Sequence, residues 1–202
     1  IIRTFDDFAK HVVVPQKEPI RRMEEGRVVR TGETIGINRQ PTEEEMKDLW
    51  FAWMVETCVT SNSVLTAKNL ATVSIGVGGQ DRVMMAKQCV NKAYESRKAL
   101  IALQKHGMLF DALLLEARLG VVSNRVLKAI EDEAMEGNAG LEGAVAASDA
   151  FFPFRDGVDA LLDQGIRAIV QPGGSLRDCD AIEACNECDA TMVFTAMRCF
   201  KH

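Results

Sequence analysis

The densest chemistry in the sequence lies in the run Ala147-Ser148-Asp149-Ala150-Phe151-Phe152-Pro153-Phe154-Arg155-Asp156. Three of the chain's nine phenylalanines fall there within four residues, bracketed by two aspartates. A carboxylate enclosed in apolar sequence needs a partner or a cation once it is buried. An aromatic wall beside an acid also suits a flat heterocycle, which stacks on the ring while its N–H groups donate to the carboxylate. Helix capping is the alternative use of Asp156. Two further stretches have the form of strand-to-helix turns. In Gly76-Val77-Gly78-Gly79-Gln80-Asp81-Arg82 the glycines, Gly78 among them, let backbone approach a ligand. Free N–H groups and Arg82 there favour an anion. The turn lacks a P-loop lysine and the spacing of a dinucleotide fingerprint. In Pro172-Gly173-Gly174-Ser175-Leu176-Arg177-Asp178, Ser175 as an N-cap with Asp178 three residues on accounts for the residues by capping alone.

Cysteine and histidine add little. Cys185-Asn186-Glu187-Cys188, with Cys179 upstream, has the two-residue gap of a metal or redox pair. No second pair accompanies it, and His11, His106 and His202 stand at no metal-ligand spacing, so reduced thiols are expected.

These residues need a frame to hold them. At 202 residues, 47% apolar and 26% charged, the chain is long enough for one domain with a core of its own. Twenty-four basic against twenty-nine acidic residues give a net charge of −5, which argues against non-specific nucleic-acid binding. No apolar run reaches the roughly 18 residues of a membrane span, and nothing at the start reads as a signal peptide. A cytoplasmic protein without nucleic-acid or membrane partners is expected.

Along the chain, an amphipathic stretch over 5–13 is followed by a charged linker and a strand at 27–30. Pro41-Thr42-Glu43-Glu44-Glu45 opens a helix, with Thr42 and Glu45 spaced as a capping box. Met46, Leu49, Trp50, Trp53 and Met54 follow at helical spacing and belong to a core. Strands at 63–67 and 72–77 form a hairpin, and a helix runs over 81–105. The middle is helical with breaks at Gly107 and Gly120. Strands at 144–147, 168–171 and 191–195 then alternate with helices at 155–164 and from 175 to about 187. The pattern predicts a three-layer α/β sandwich with a mixed sheet, residues 1–40 forming an N-terminal extension and 41–202 the main domain. In such sheets ligands bind beyond the carboxyl ends of the strands.

Three stretches carry a family resemblance: 147–156, Gln171-Pro172-Gly173-Gly174-Ser175-Leu176-Arg177-Asp178, and the tail from Met192 to His202. Arg39-Gln40-Pro41-Thr42-Glu43-Glu44-Glu45, Thr60-Ser61-Asn62-Ser63-Val64 and Ala67-Lys68-Asn69 extend it over roughly two-thirds of the chain. Together they resemble the bifunctional AICAR formyltransferase/IMP cyclohydrolase family of purine biosynthesis, at the C-terminal half of the formyltransferase region. The resemblance implies a cytidine-deaminase-like subdomain and formyl transfer from 10-formyltetrahydrofolate to the 5-amino group of AICAR. It implies Asn62 and His202 beside the transferring formyl group, and Arg82, Arg198 and the Gly78 turn at the nucleotide. Phe151, Pro153 and Asp156 would hold the pterin ring of the folate, while Ser61, Ser63 and Asp149 would bind potassium. Because family sites form where subdomains meet, a homodimer or a separate chain supplying the missing surface is expected.

The departures are specific. The family's Lys-His dyad belongs to the first subdomain; Lys10-His11, Lys105-His106 and Lys201-His202 all lack its context. Cys199 and Lys201 replace more usual tail residues, and the 95–142 stretch is longer than in many bacterial members. A binding subunit that is catalytically incomplete is therefore the alternative reading. IMP cyclohydrolase action is a third, suggested by family company alone.

Overall fold

The structure, a computed structural model, describes residues 2, 4–24 and 27–201. Its centre is a five-stranded sheet in the order β4-β3-β5-β6-β7. The strands are β3 (Ser63–Lys68), β4 (Ala71–Val77), β5 (Val145–Ser148), β6 (Ala168–Gln171) and β7 (Thr191–Phe194). β4, β3 and β5 run antiparallel to their neighbours, while β5, β6 and β7 are parallel. This is a mixed sheet, and helices cover both of its faces.

Side-chain alternation decides which face meets which helix. Leu65, Val145, Ala147, Val170 and Val193 point to the layer containing α1 (Phe5–His11) and α2 (Glu43–Glu56), where they meet Phe8, Leu49 and Trp53. Val64, Ala146, Ile169 and Met192 point the other way, toward α3 (Arg82–His106), α6 (Asp156–Leu162) and α7 (Asp178–Glu187). β5 and β6 are buried at every position, as strands covered on both faces must be.

Local chemistry sets the boundaries. Thr42 Oγ1 accepts the Glu45 N–H at 3.2 Å and the Glu45 carboxylate accepts the Thr42 N–H at 2.9 Å, so the capping box closes. The buried carboxylate of Asp48 accepts the N–H groups of Asn69 and Leu70, the left-handed pair that turns β3 into β4. Asp81 caps α3, and Gly107, left-handed at φ 67, ends it. At that far end α4 (Phe110–Arg118) and α5 (Asn124–Met135) fold onto α3 around Ile101, Leu113 and Ile130, a satellite core separate from the sheet.

Two expectations change. Residues 18–24, read as a charged linker, form β1 (Glu18–Glu24), which pairs antiparallel with β2 (Arg27–Ile35). Most side chains of β2 are exposed, so no apolar alternation marks the pair. The hairpin is moored to α7: Asn186 accepts the Asn38 N–H and donates to Gly36 O, both at 2.9 Å. Ser175 is not the N-cap of α7, which begins after Arg177. Instead the Asp178 carboxylate turns back and accepts the N–H groups of Gly174 and Ser175.

Gly76 fixes how closely α3 lies on β4, since an added Cβ would stand 2.3 Å from Met85 O. Gly76→Ala should lower stability by about 2–3 kcal/mol in urea unfolding, because backbone rather than a flexible side chain must move. A loss below about 0.5 kcal/mol would show that the helix can shift freely.

Candidate functional site

The sheet topology brings distant residues to one edge. β3 runs against β5, with Val64 opposite Ser148, so residues 61–63 stand beside the end of β5. Ser63 also faces Val77, which places the Gly78 turn and the start of α3 at the same edge. After β7 the chain turns at Ala196, φ 51, and crosses back over the strand ends. Cys199 N–H donates to Asp149 O at 3.0 Å, and Ser61 N–H donates to Lys201 O at 2.9 Å. The Lys201 N–H returns a bond to Ser61 Oγ at 2.9 Å.

Arg82 sits at the middle of this edge, 6% exposed. Its guanidinium is ion-paired with Asp149, which has no exposure, and donates to Ser148 Oγ at 2.9 Å and Asn62 Oδ1 at 3.1 Å. Asn62 Nδ2 in turn donates to Gly79 O at 2.9 Å and Gln80 O at 3.2 Å, and Gly78 N–H donates to Asn62 O at 3.0 Å. The Asn62 amide therefore has one fixed orientation, with its oxygen toward the cation.

The tail adds aromatic and cationic surface. The Arg198 guanidinium lies 4.9 Å from the centre of the Phe151 ring, and that of Arg82 lies 5.8 Å from Phe200. The aromatic loop is held from below by buried Gln171, whose Oε1 accepts the Phe152 N–H at 3.0 Å and whose amide reaches Met192 Sδ. Pro153 is half-buried, and Asp156 is exposed at the end of the loop, where its Oδ1 accepts the Gly157 N–H.

Of the residues singled out from the sequence, Asn62, Ser63, Gly78, Arg82 and Asp149 form one bonded group, and Ser61, next to Asn62 in the chain, bonds instead to the Lys201 backbone. Arg198 and Phe151 form a second, joined to the first through the Cys199–Asp149 backbone bond. Pro153 and Asp156 continue the Phe151 loop, and His202 lies outside the described residues.

One participant escaped the sequence reading. Glu56, at the end of α2, is fully buried, and its Oε1 accepts the Ser63 hydroxyl at 2.8 Å. Its Oε2 and the Oδ2 of Asp149 are buried without hydrogen-bond partners. Loss of water pushes the Glu56 carboxyl up to about 8, the Ser63 bond opposes this, and the Asp149 charge adds to it. The signal was helical phase: Glu56 follows Leu49, Ala52 and Trp53 on the buried face of α2. The same surroundings keep the Cys199 thiol protonated, its value raised to about 12 mainly by burial.

A carboxyl whose value is higher folded than unfolded takes up a proton on folding. The Glu56 contribution is thus fully favourable below about 4.5 and is lost as pH rises toward about 8. Glu56→Gln should leave stability at pH 5 nearly unchanged and raise it at pH 8 by one to a few kcal/mol, on the order set by linkage. Parallel stability–pH curves for the variant and the unaltered chain, measured by thermal unfolding, would contradict this.

The AICARFT/IMPCHase bienzyme family model matches residues 9–92, which include Asn62, Gly78 and Arg82. The chain is 42% identical over 168 residues to the bifunctional purine biosynthesis protein PurH of Persephonella marina, covering 83% of this chain and 25% of that one. It is 41% identical to PurH of Aquifex aeolicus with the same coverage. Against PurH of Paracoccus denitrificans it is 37% identical over 183 residues, 91% of this chain and 28% of the relative. The chain spans about a quarter of the length of the curated relatives it matches. By these sequence matches the chain belongs to the AICARFT/IMPCHase bienzyme family.

Proposed function

We propose that this chain supplies one face of a formyl-transfer site in purine biosynthesis, acting on AICAR with 10-formyltetrahydrofolate as co-substrate. The observation that carries the reading is the single strand-end edge on which Asn62, Arg82, Phe151 and Arg198 meet. In this reading residues 41–202 are a cytidine-deaminase-like subdomain, and residues 1–40 are an extension packed on it.

The reaction joins the 5-amino nitrogen of AICAR to the formyl carbon, breaks the bond from that carbon to N10 of the folate, and passes the amine proton to the departing folate. The amine is a weak nucleophile, so the rate depends on holding both reactants together and stabilising the oxyanion as it forms. The Asn62 side chain, fixed by three hydrogen bonds, is a pre-oriented polar group for that centre. Arg82 and Arg198 supply positive charge for a phosphorylated substrate in a chain of net charge −5. The Phe151 and Pro153 surfaces pack on the pterin, and the Asp156 carboxylate accepts from its N–H groups.

Ser61, Ser63 and Asp149 fit a potassium ion. The donor set is all oxygen and buried, and Asp149 Oδ2 is an acceptor without a hydrogen-bond partner. A bound cation would satisfy it and hold the 61–63 segment to the end of β5.

A second reading, a nucleotide- or folate-binding subunit completed by another chain or a second copy, is favoured by where two Lys-His pairs sit. His11 Nε2 is 2.7 Å from Thr195 O. Lys105 and His106 end α3, about 36 Å of helix from Arg82 at its start. One ring nitrogen of His11 is thus engaged by a backbone carbonyl, and His106 stands at the opposite end of α3 from Arg82, the partner of Asn62.

Turnover separates the readings. Mixed with AICAR and 10-formyltetrahydrofolate, the chain should release tetrahydrofolate above background, and Asn62→Ala should lower kcat more than it raises KM. Calorimetric binding of both ligands with no release would establish the binding-subunit reading, and no binding would overturn both. Asp156→Ala should weaken folate binding by about 1–3 kcal/mol, and unchanged affinity would leave Asp156 as a turn residue. Potassium chloride should raise the unfolding temperature more than lithium chloride at equal ionic strength, and equal melting curves would contradict the cation site.

A further inference from the structure

The central sheet ends in β4 on one side and β7 on the other. The β7 edge is covered, since Val13 N–H donates to Phe194 O at 2.9 Å and Phe194 N–H donates to Val13 O at 2.8 Å. No strand of the sheet lies on the outer side of β4. Its seven residues, Ala71-Thr72-Val73-Ser74-Ile75-Gly76-Val77, include no charge and no proline. Thr72, Val73, Ile75 and Val77 are β-branched. An uncharged, β-branched edge strand is a template for pairing with another chain.

The first helix after the strand closes this edge. Gly76 lets α3 lie directly over β4, with Met85, Cys89 and Ala93 turned into the core. Gln88 and Lys92 stand one helical turn apart and share a neighbouring face. Gln88 Oε1 accepts the Val77 N–H at 3.1 Å, and Lys92 Nζ donates to Ile75 O at 3.1 Å. In an antiparallel pair, alternate residues turn their N–H and C=O groups toward the partner strand and away from it. Ile75 and Val77 have the same phase, and both bonds engage groups that an added strand would need. Such a strand would also take the Lys92 ammonium out of water, and a second β4 brings no carboxylate to pair with it.

We infer that Gln88 and Lys92 guard the β4 edge, and that the partner they exclude is a second copy of this chain, joined β4 to β4 in an antiparallel pair. Two copies of one uncharged strand meet there without charge repulsion, and a two-fold axis closes the arrangement so that neither edge stays open. The guard acts through the sheet edge alone and does not depend on the reaction the chain takes part in.

Gln88→Leu and Lys92→Met keep the side chains close to their original size and remove both bonds. In sedimentation velocity the double variant should dimerise at least about tenfold more tightly than the unaltered chain. On association the Ile75 amide should exchange with solvent at least about tenfold more slowly, because its outward N–H gains a partner. Lys87→Met with Asn91→Leu, at exposed positions of the same helix, is the control. It removes the same charge and adds similar apolar surface, and it should sediment as the unaltered chain does. Lys92→Met alone should strengthen dimerisation severalfold and decides the matter if the double variant does not fold. A folded double variant or Lys92→Met chain no more associated than the unaltered one, equal association of the control, or association that leaves Ile75 exchange unchanged would each overturn the inference.

Discussion

The Arg82 guanidinium and the Asp149 carboxylate are both withdrawn from water, at 6% and 0% exposure, and each makes the burial of the other tolerable. Removing either charge from water costs several kcal/mol, which only a close partner with further hydrogen bonds can offset. Ser148 Oγ and Asn62 Oδ1 supply those bonds to Arg82, and Asn62 is then tied to the Gly78 turn. One ion pair thus joins the end of β5, the start of β3 and the first turn of α3. The pair also joins the tail to this group, because the backbone oxygen of Asp149 accepts from Cys199.

Around that pair the fold separates two tasks. The sheet and its covering helices bury the apolar residues on both faces, while the strand ends collect the polar ones. Gln171 shows the division in one residue: its backbone pairs in β6, and its buried side chain holds the Phe152 N–H so that the aromatic loop leaves the sheet at a fixed angle. Glu56 and Asp149 each keep one buried oxygen without a hydrogen-bond partner, so the interior of this edge carries acceptor capacity that the protein itself leaves unused. The α4–α5 satellite lies at the far end of α3 and packs on its own small core, away from the site residues.

Much of this was legible before any coordinates, for identifiable reasons. The capping box at Thr42 and Glu45, the hairpin around Lys68 and Asn69, and the glycine breaks at 107 and 120 are local signals, and each appears where local chemistry demands it. Asp149 stood out because an acid inside an apolar run has few ways to be stable. What was missed depends on partners remote in sequence. β1 is hidden by its charges, and the hairpin it forms with β2 is held through Gly36 and Asn38 by Asn186 of α7, some 150 residues away. Ser175 has the right type and spacing for a cap, and its Oγ does accept the Arg177 N–H, yet the helix starts only after Arg177, with Asp178 turned back onto the Gly174 and Ser175 N–H groups. Glu56 gives only its helical phase as a clue, since its partner Ser63 lies across the turn into the sheet.

The central claim, that the Arg82–Asp149 pair organises the site edge, is tested most directly by a double-mutant cycle. Arg82→Met, Asp149→Asn and the double variant are compared in urea unfolding. Each single change leaves a buried polar group unpaired and should cost about 3–5 kcal/mol, with the double variant recovering about 2 kcal/mol or more of the summed loss. Losses that add to within about 0.5 kcal/mol would contradict the account, because the two charges would then be stabilised independently of each other.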